Sequence, residues 1–99
     1  MKVSKAAKIW LDYHQIHSKK NTLRAHSFVM ERLCHQFGVW DLSHLSVDNI
    51  LDFLNQLTEE RKPQTKRARF TCLSAFFNFV KNDLEPIYGI QSDIFNQVE

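Results

Sequence analysis

Gln64-Thr65-Lys66-Arg67-Ala68-Arg69-Phe70-Thr71-Cys72-Leu73-Ser74-Ala75-Phe76-Phe77-Asn78-Phe79-Val80-Lys81 is the stretch on which the reading of the fold turns. At about 100° per residue, Phe70, Leu73, Phe76, Phe77 and Val80 share one sector, and Ala68, Cys72, Ala75 and Phe79 widen it. That pattern predicts a largely buried helix. The stripe left over, Arg67, Thr71, Ser74, Asn78 and Lys81, carries cations and small polar groups with no acid among them. Such a stripe suits close approach to a phosphate backbone, or it is the solvated edge of a core helix.

Three further helices are legible upstream. Residues 3–17 place Ala6, Ile9, Trp10, Tyr13, Ile16 and His17 on one face, with Lys5, Lys8, Asp12 and Gln15 off it. The polar run Ser18-Lys19-Lys20-Asn21 ends that helix. Asn21 or Thr22 offers an N-cap oxygen for a second helix of about 16 residues, with Leu23, Met30, Leu33, Cys34 and Phe37 inward and Gly38 as its stop. Phe28 departs from this pattern, projecting with Arg24, Arg32 and His35 on the other side. Trp40-Asp41-Leu42 packs a turn. Ser46 then caps a third helix running to about Glu60, with Val47, Ile50, Phe53, Leu54 and Leu57 inward. Its outer face holds Asp48, Asn49, Asp52, Asn55, Gln56 and Glu59. The breaker Arg61-Lys62-Pro63-Gln64 leads to the fourth helix, for which Thr65 is the expected N-cap. Beyond Asn82-Asp83-Leu84-Glu85-Pro86, residues 92–98 suggest a short fifth helix in a tail. The fold class is therefore all-α, a compact bundle of four main helices.

Ninety-nine residues make one modest core. No apolar run reaches the roughly 18 to 20 residues that span a bilayer, so no membrane association and a cytoplasmic location are expected. Cys34 and Cys72 sit on apolar faces without ligand spacing and read as free thiols. His14 and His17 lack a third ligand, so no metal site is expected. The two glycines form no phosphate loop, and no nucleophile or paired-carboxylate pattern is present. The chain by itself reads as non-catalytic, without a cofactor.

The net charge is only +2, but it is distributed in blocks. Residues 1–38 hold seven cations and two carboxylates, and residues 39–60 hold five carboxylates and no cation. Residues 61–81 hold six cations and no carboxylate, and residues 82–99 hold four carboxylates and no cation. If the basic blocks converge, the segments beginning near Asn21 and Gln64 open onto a common positive surface with the acidic third helix turned elsewhere, which orients a protein against a polyanion. Each basic segment is a cationic loop leading into a helix start, and first-turn cations oppose the helix dipole at about 0.3 to 1 kcal/mol each. Backbone N–H groups, a Thr hydroxyl and cations at those starts make two candidate phosphate contacts, to which Lys20 and Lys62 belong on electrostatic grounds.

Thr22-Leu23-Arg24-Ala25-His26, the run from Leu45 to Leu57, and the run from Thr65 to Phe79 together resemble the N-terminal, SAM-like core-binding domain of phage integrases and other tyrosine recombinases. The likeness spans about residues 3–84 in order and spacing. It implies two crossed helical hairpins that clamp one side of double-stranded DNA through the second and fourth helices. Carried over by position, the DNA-binding residues are Thr22, Arg24, Thr65, Lys66, Arg67 and Thr71. The implied organisation is a domain over residues 1–85 and, over residues 86–99, a tail or linker to an absent C-terminal catalytic domain, the isolated domain being a monomer. His26 stands where the family usually has Tyr, and Glu85-Pro86 where it often has Asn-Pro. Strand exchange in the family needs an Arg, a His-x-x-Arg segment and a Tyr nucleophile in the catalytic domain; Tyr13 and Tyr88 have no such setting. The competing readings are a helical protein-interaction module docking through Phe28 and Phe95, and a small dimeric transcriptional regulator.

Overall fold

A computed structural model describes residues 1–84 of the chain. Helix α1 spans Val3–His17, α2 Lys20–Phe37, α3 Val47–Thr58 and α4 Pro63–Phe79, with a short 3-10 turn at Leu42–His44 and a π-helical turn at Val80–Leu84. The protein is an all-α bundle of four main helices. The fifth helix expected over residues 92–98, the Glu85-Pro86 junction and Phe95 lie outside the described residues.

Buried side chains from all four helices make one core, in which Trp10, Phe76, Phe77, Met30 and Leu33 are the largest fully enclosed groups. Trp10 packs edge-on against Phe76 at 5.4 Å and lies 4.6 Å from His26, so one indole joins α1, α2 and α4. Truncating a side chain in that position costs roughly 3 to 5 kcal/mol. Phe37 meets Phe53 at 6.3 Å and Trp40 at 5.0 Å, closing α2 onto α3.

The chain start is held by the turn after α2. Val3 N–H donates to the Trp40 carbonyl at 2.9 Å, Ser4 N–H to Gly38 at 3.1 Å, and Leu42 N–H to the Met1 carbonyl at 2.9 Å. The Met1 ammonium donates to Asp41 Oδ2 at 3.1 Å, while Asp41 Oδ1 accepts from the hydroxyl and the backbone N–H of Ser43. These bonds, the Ser43 hydroxyl's first among them, hold the Asp41 carboxyl well below the usual carboxylate range.

Several local expectations are corrected. Neither Asn21 nor Thr22 caps α2, and Thr65 does not cap α4. The helices begin earlier, with Lys19 and Lys62 as N-caps that make no side-chain cap bond. The backbone decides both starts. Leu23 N–H donates to the Lys19 carbonyl at 3.0 Å, and Pro63 opens α4 instead of breaking it because its fixed φ and missing N–H suit the first helical position. The Ser46 cap does form, as a full capping box with Asn49: Ser46 Oγ accepts from Asn49 N–H at 3.1 Å and Asn49 Oδ1 accepts from Ser46 N–H at 3.0 Å.

Ile16 lies at 79 % exposure, because α1 buries Val3, Ala6, Ala7 and Trp10 and its last turn overhangs the bundle. On α4, Phe70, Ala68 and Ala75 are exposed, while Ser74, Asn78 and Lys81, expected on the outer stripe, are half-buried. α4 is thus buried according to position along the helix as well as face, its first turns being more exposed than its later ones. Its outer surface in the first turns consists of Arg67, Ala68, Phe70 and Thr71.

Candidate nucleic-acid interface

α2 and α4 touch at mid-length. His26 Nδ1 lies 3.1 Å from Cys72 Sγ, and the Arg69 guanidinium carbon sits 4.7 Å from the centre of the Phe28 ring. Arg32, one turn beyond Phe28, places its own guanidinium 5.3 Å from the same ring. Arg69 also donates from Nη1 to the Leu57 carbonyl at the end of α3. Burial and the neighbouring charges of Arg61 and Arg32 all push the Arg69 pKa downward, burial most. These contacts give Phe28 a local role: its π-system attracts two guanidinium groups that repel each other.

These groups line an open cavity of about 370 Å³ formed by Phe28, Arg32, His35 and Gln36 of α2, Phe53, Gln56 and Leu57 of α3, Arg61 of the connecting turn and Arg69 of α4. No carboxylate is among the lining residues. The turn that delivers Arg61 passes through Glu60, whose φ of 59° lies in the left-handed region that a side chain adopts at a cost.

The expected contact residues take the following places. Lys20, Thr22 and Arg24 are exposed in the first turns of α2; Lys62, Lys66, Arg67 and Thr71 are exposed at and after the start of α4, and Thr65 is half-buried. The two starts do not adjoin. α4 begins beside the C-terminal half of α2, where Arg61 shares the cavity with Arg32, His35 and Gln36, so about 18 Å of α2 separates Lys20 from Arg32. Arg24, Arg32 and His35 follow one face of α2, with spacings of eight and three residues, and carry basic groups across that gap. From α3 only Phe53, Gln56 and Leu57 line the cavity; Asp48 and Asp52 of that helix and Glu59, which caps its end, are exposed and are not among the lining residues.

Arg32, Arg61 and Arg69 were absent from the contacts expected from sequence, because they come from three elements and only the fold assembles them. The signal that could have found one of them, Arg32, was Phe28, an aromatic set among cations on one helical face.

Among the described residues the ion pairs are Met1 with Asp41 and Lys8 with Asp12, and neither engages a cation of α2 or α4. No group of three or more His, Cys, Asp or Glu side chains that could hold a metal occurs among them, and no described helix is long and apolar enough to cross a membrane. Comparison of the chain with protein families, with curated proteins and with solved structures found no match.

Proposed function

We propose that this chain binds double-stranded DNA as a core-binding domain of the tyrosine-recombinase type, clamping the duplex through phosphate contacts from α2 and α4 while a separate catalytic domain carries the chemistry. The observation that carries the reading is the pair of exposed cationic helix starts, Lys20 and Arg24 on α2 and Lys62, Lys66 and Arg67 at α4, with no ion-pair partner among the described residues. Lys20, Thr22 and Arg24 form one contact group, and Lys62, Thr65, Lys66, Arg67 and Thr71 form the other. A separation of about 18 Å along α2 is the scale needed to reach the two phosphate rows flanking a major groove about 12 Å wide. The order of the helices and the motifs on α2, α3 and α4 favour the recombinase family over other basic helical domains. The cover that Arg32 and Arg69 place on Phe28 weighs against a protein-docking role for that ring.

The test is fluorescence anisotropy of a labelled duplex at stepped salt concentrations. The plot of log K against log salt should fall by about 0.9 per phosphate contact, and Lys66→Glu with Arg67→Glu should weaken binding and flatten that slope. Undetectable binding at low salt, or unchanged binding by the double variant, overturns the assignment.

A further inference from the structure

The cavity between α2, α3 and α4 has a composition that neither core packing nor a flat phosphate contact requires. Three guanidinium groups and an imidazole line it without a carboxylate, and two glutamine amides, Gln36 and Gln56, complete its polar wall. Placing like charges in one concave site costs free energy unless something compensates. Within the protein, the compensation consists of the Phe28 π-face and the Leu57 carbonyl. The ring meets Arg32 and Arg69, the carbonyl accepts from Arg69 alone, and neither supplies a formal negative charge. One ring thus holds two guanidiniums at the cavity wall, and the fork geometry of Arg suits bidentate phosphate capture.

We infer that this cavity is a binding site for a dianionic phosphate monoester, held by Arg32, Arg61 and Arg69 over Phe28. Two negative charges match three guanidiniums better than the single charge of a phosphodiester does. About 370 Å³ is also more room than a bare phosphate fills, so the cavity accommodates the sugar that bears it. A free 5′-nucleotide and the 5′-phosphorylated end of a DNA strand present the same group. The inference does not depend on clamping of internal duplex, for which the contact groups are Lys20, Thr22 and Arg24, and Lys62, Thr65, Lys66, Arg67 and Thr71.

The experiment follows the arginine Nε–Hε resonances of the labelled protein during titration with inorganic phosphate, adenosine 5′-monophosphate and adenosine. Arg32, Arg61 and Arg69 should shift saturably with both phosphates, more tightly with the nucleotide, and not with adenosine, while Arg24 and Arg67 stay in place. Arg61 is exposed, so Arg61→Gln should fold as the wild type does and lower phosphate affinity about tenfold, the loss of one charge-assisted contact. Arg61→Lys, which keeps the charge but loses the fork, should fall between them. Blunt duplexes with 5′-phosphate and 5′-hydroxyl ends distinguish the sources: stronger cavity shifts with the phosphorylated end assign a strand terminus, and equal shifts alongside nucleotide binding assign a free nucleotide. Shifts that do not saturate, that spread equally to Arg24 and Arg67, or that survive Arg61→Gln unchanged overturn the site, whatever the duplex affinity proves to be.

Discussion

The Arg69 guanidinium carbon lies over the Phe28 ring, 4.7 Å from its centre, so the exposed aromatic of α2 is a support for a cation of α4. Because Arg32 uses the same ring and Arg61 adds a third charge nearby, removing the π-system should leave mutual repulsion with less to offset it. Each cation–π contact of this partly exposed kind is worth about 0.5 to 1 kcal/mol. Phe28→Leu should therefore lower unfolding stability by roughly 1 to 2 kcal/mol in urea titrations. The deficit should shrink as salt screens the guanidiniums, and Phe28→Tyr should restore stability. A deficit independent of salt would mean that Phe28 contributes only apolar contact.

Gly38 ends α2 with φ −56° and ψ −35°, a right-handed conformation that any residue can adopt. Its requirement for glycine is instead steric. A Cβ built there would collide with the Cys34 carbonyl oxygen, which belongs to rigid helix backbone and itself accepts the Gly38 N–H at 2.8 Å. Ser4 N–H is tied to the Gly38 carbonyl, so a shift of residue 38 also disturbs the start of α1. Gly38→Ala should destabilise the protein by about 1 to 3 kcal/mol, the range for overpacked sites, measured as a lower midpoint in urea. A neutral result would show that the α2 terminus is free to open.

What the sequence disclosed followed the physics available to it. The bounds of α1 were legible because Val3, Ala6, Trp10 and the lysines between them alternate with helical period and Ser18 interrupts it. The Ser46 cap was legible because a capping box is local chemistry, complete within four residues. The starts of α2 and α4 were misplaced because a Thr oxygen suggests a cap and a Pro suggests a break, whereas the Lys19 and Lys62 carbonyls accept the first helical N–H groups. On α4, Phe70 and Phe77 are equivalent by period, yet Phe77 is buried and Phe70 is exposed; position along the helix decides between them, Phe70 lying two turns nearer its start. The arginine cavity was illegible because no local pattern links residues 32, 61 and 69.

His14 and His26 lie 4.7 Å apart against Trp10, with His14 Nδ1 bonded to Ser18 Oγ and His26 Nδ1 to Cys72 Sγ. Burial first, and then charge repulsion, lowers both pKa values: His14 feels His17, and His26 feels His14. Burial pushes the Cys72 thiol up to about 12, so the partner of His26 is a neutral thiol and not an anion that would favour imidazolium. Tyr13 packs on His17 and Phe79 beside them. With folded pKa values depressed, the stability these groups contribute is present above the unfolded value of about 6.5 and is lost as pH falls through the folded values. Melting temperature should therefore drop between about pH 7.5 and 5.5, before ordinary carboxylates titrate. His26→Gln should flatten that drop, and an unchanged profile in this variant would remove His26 from the cause.

Ser74 Oγ is buried on α4 without a hydrogen-bond partner among the described residues. Its place between Arg67 and Lys81 in the polar stripe suggested a solvated hydroxyl, but at mid-length of α4 the stripe is half-buried. A buried hydroxyl left unpaired costs about 1 to 3 kcal/mol, and serine is a poorer helix former than alanine by several tenths of a kcal/mol. Both effects have the same sign at this position. Ser74→Ala should thus raise stability by about 1 kcal/mol or more, whereas Thr71→Ala, exposed one turn earlier, should change it little. Thermal and urea unfolding of the two variants decide the point. A loss of stability in Ser74→Ala would mean that the hydroxyl meets a partner in solution, and would place that partner in the core between α4 and its neighbours.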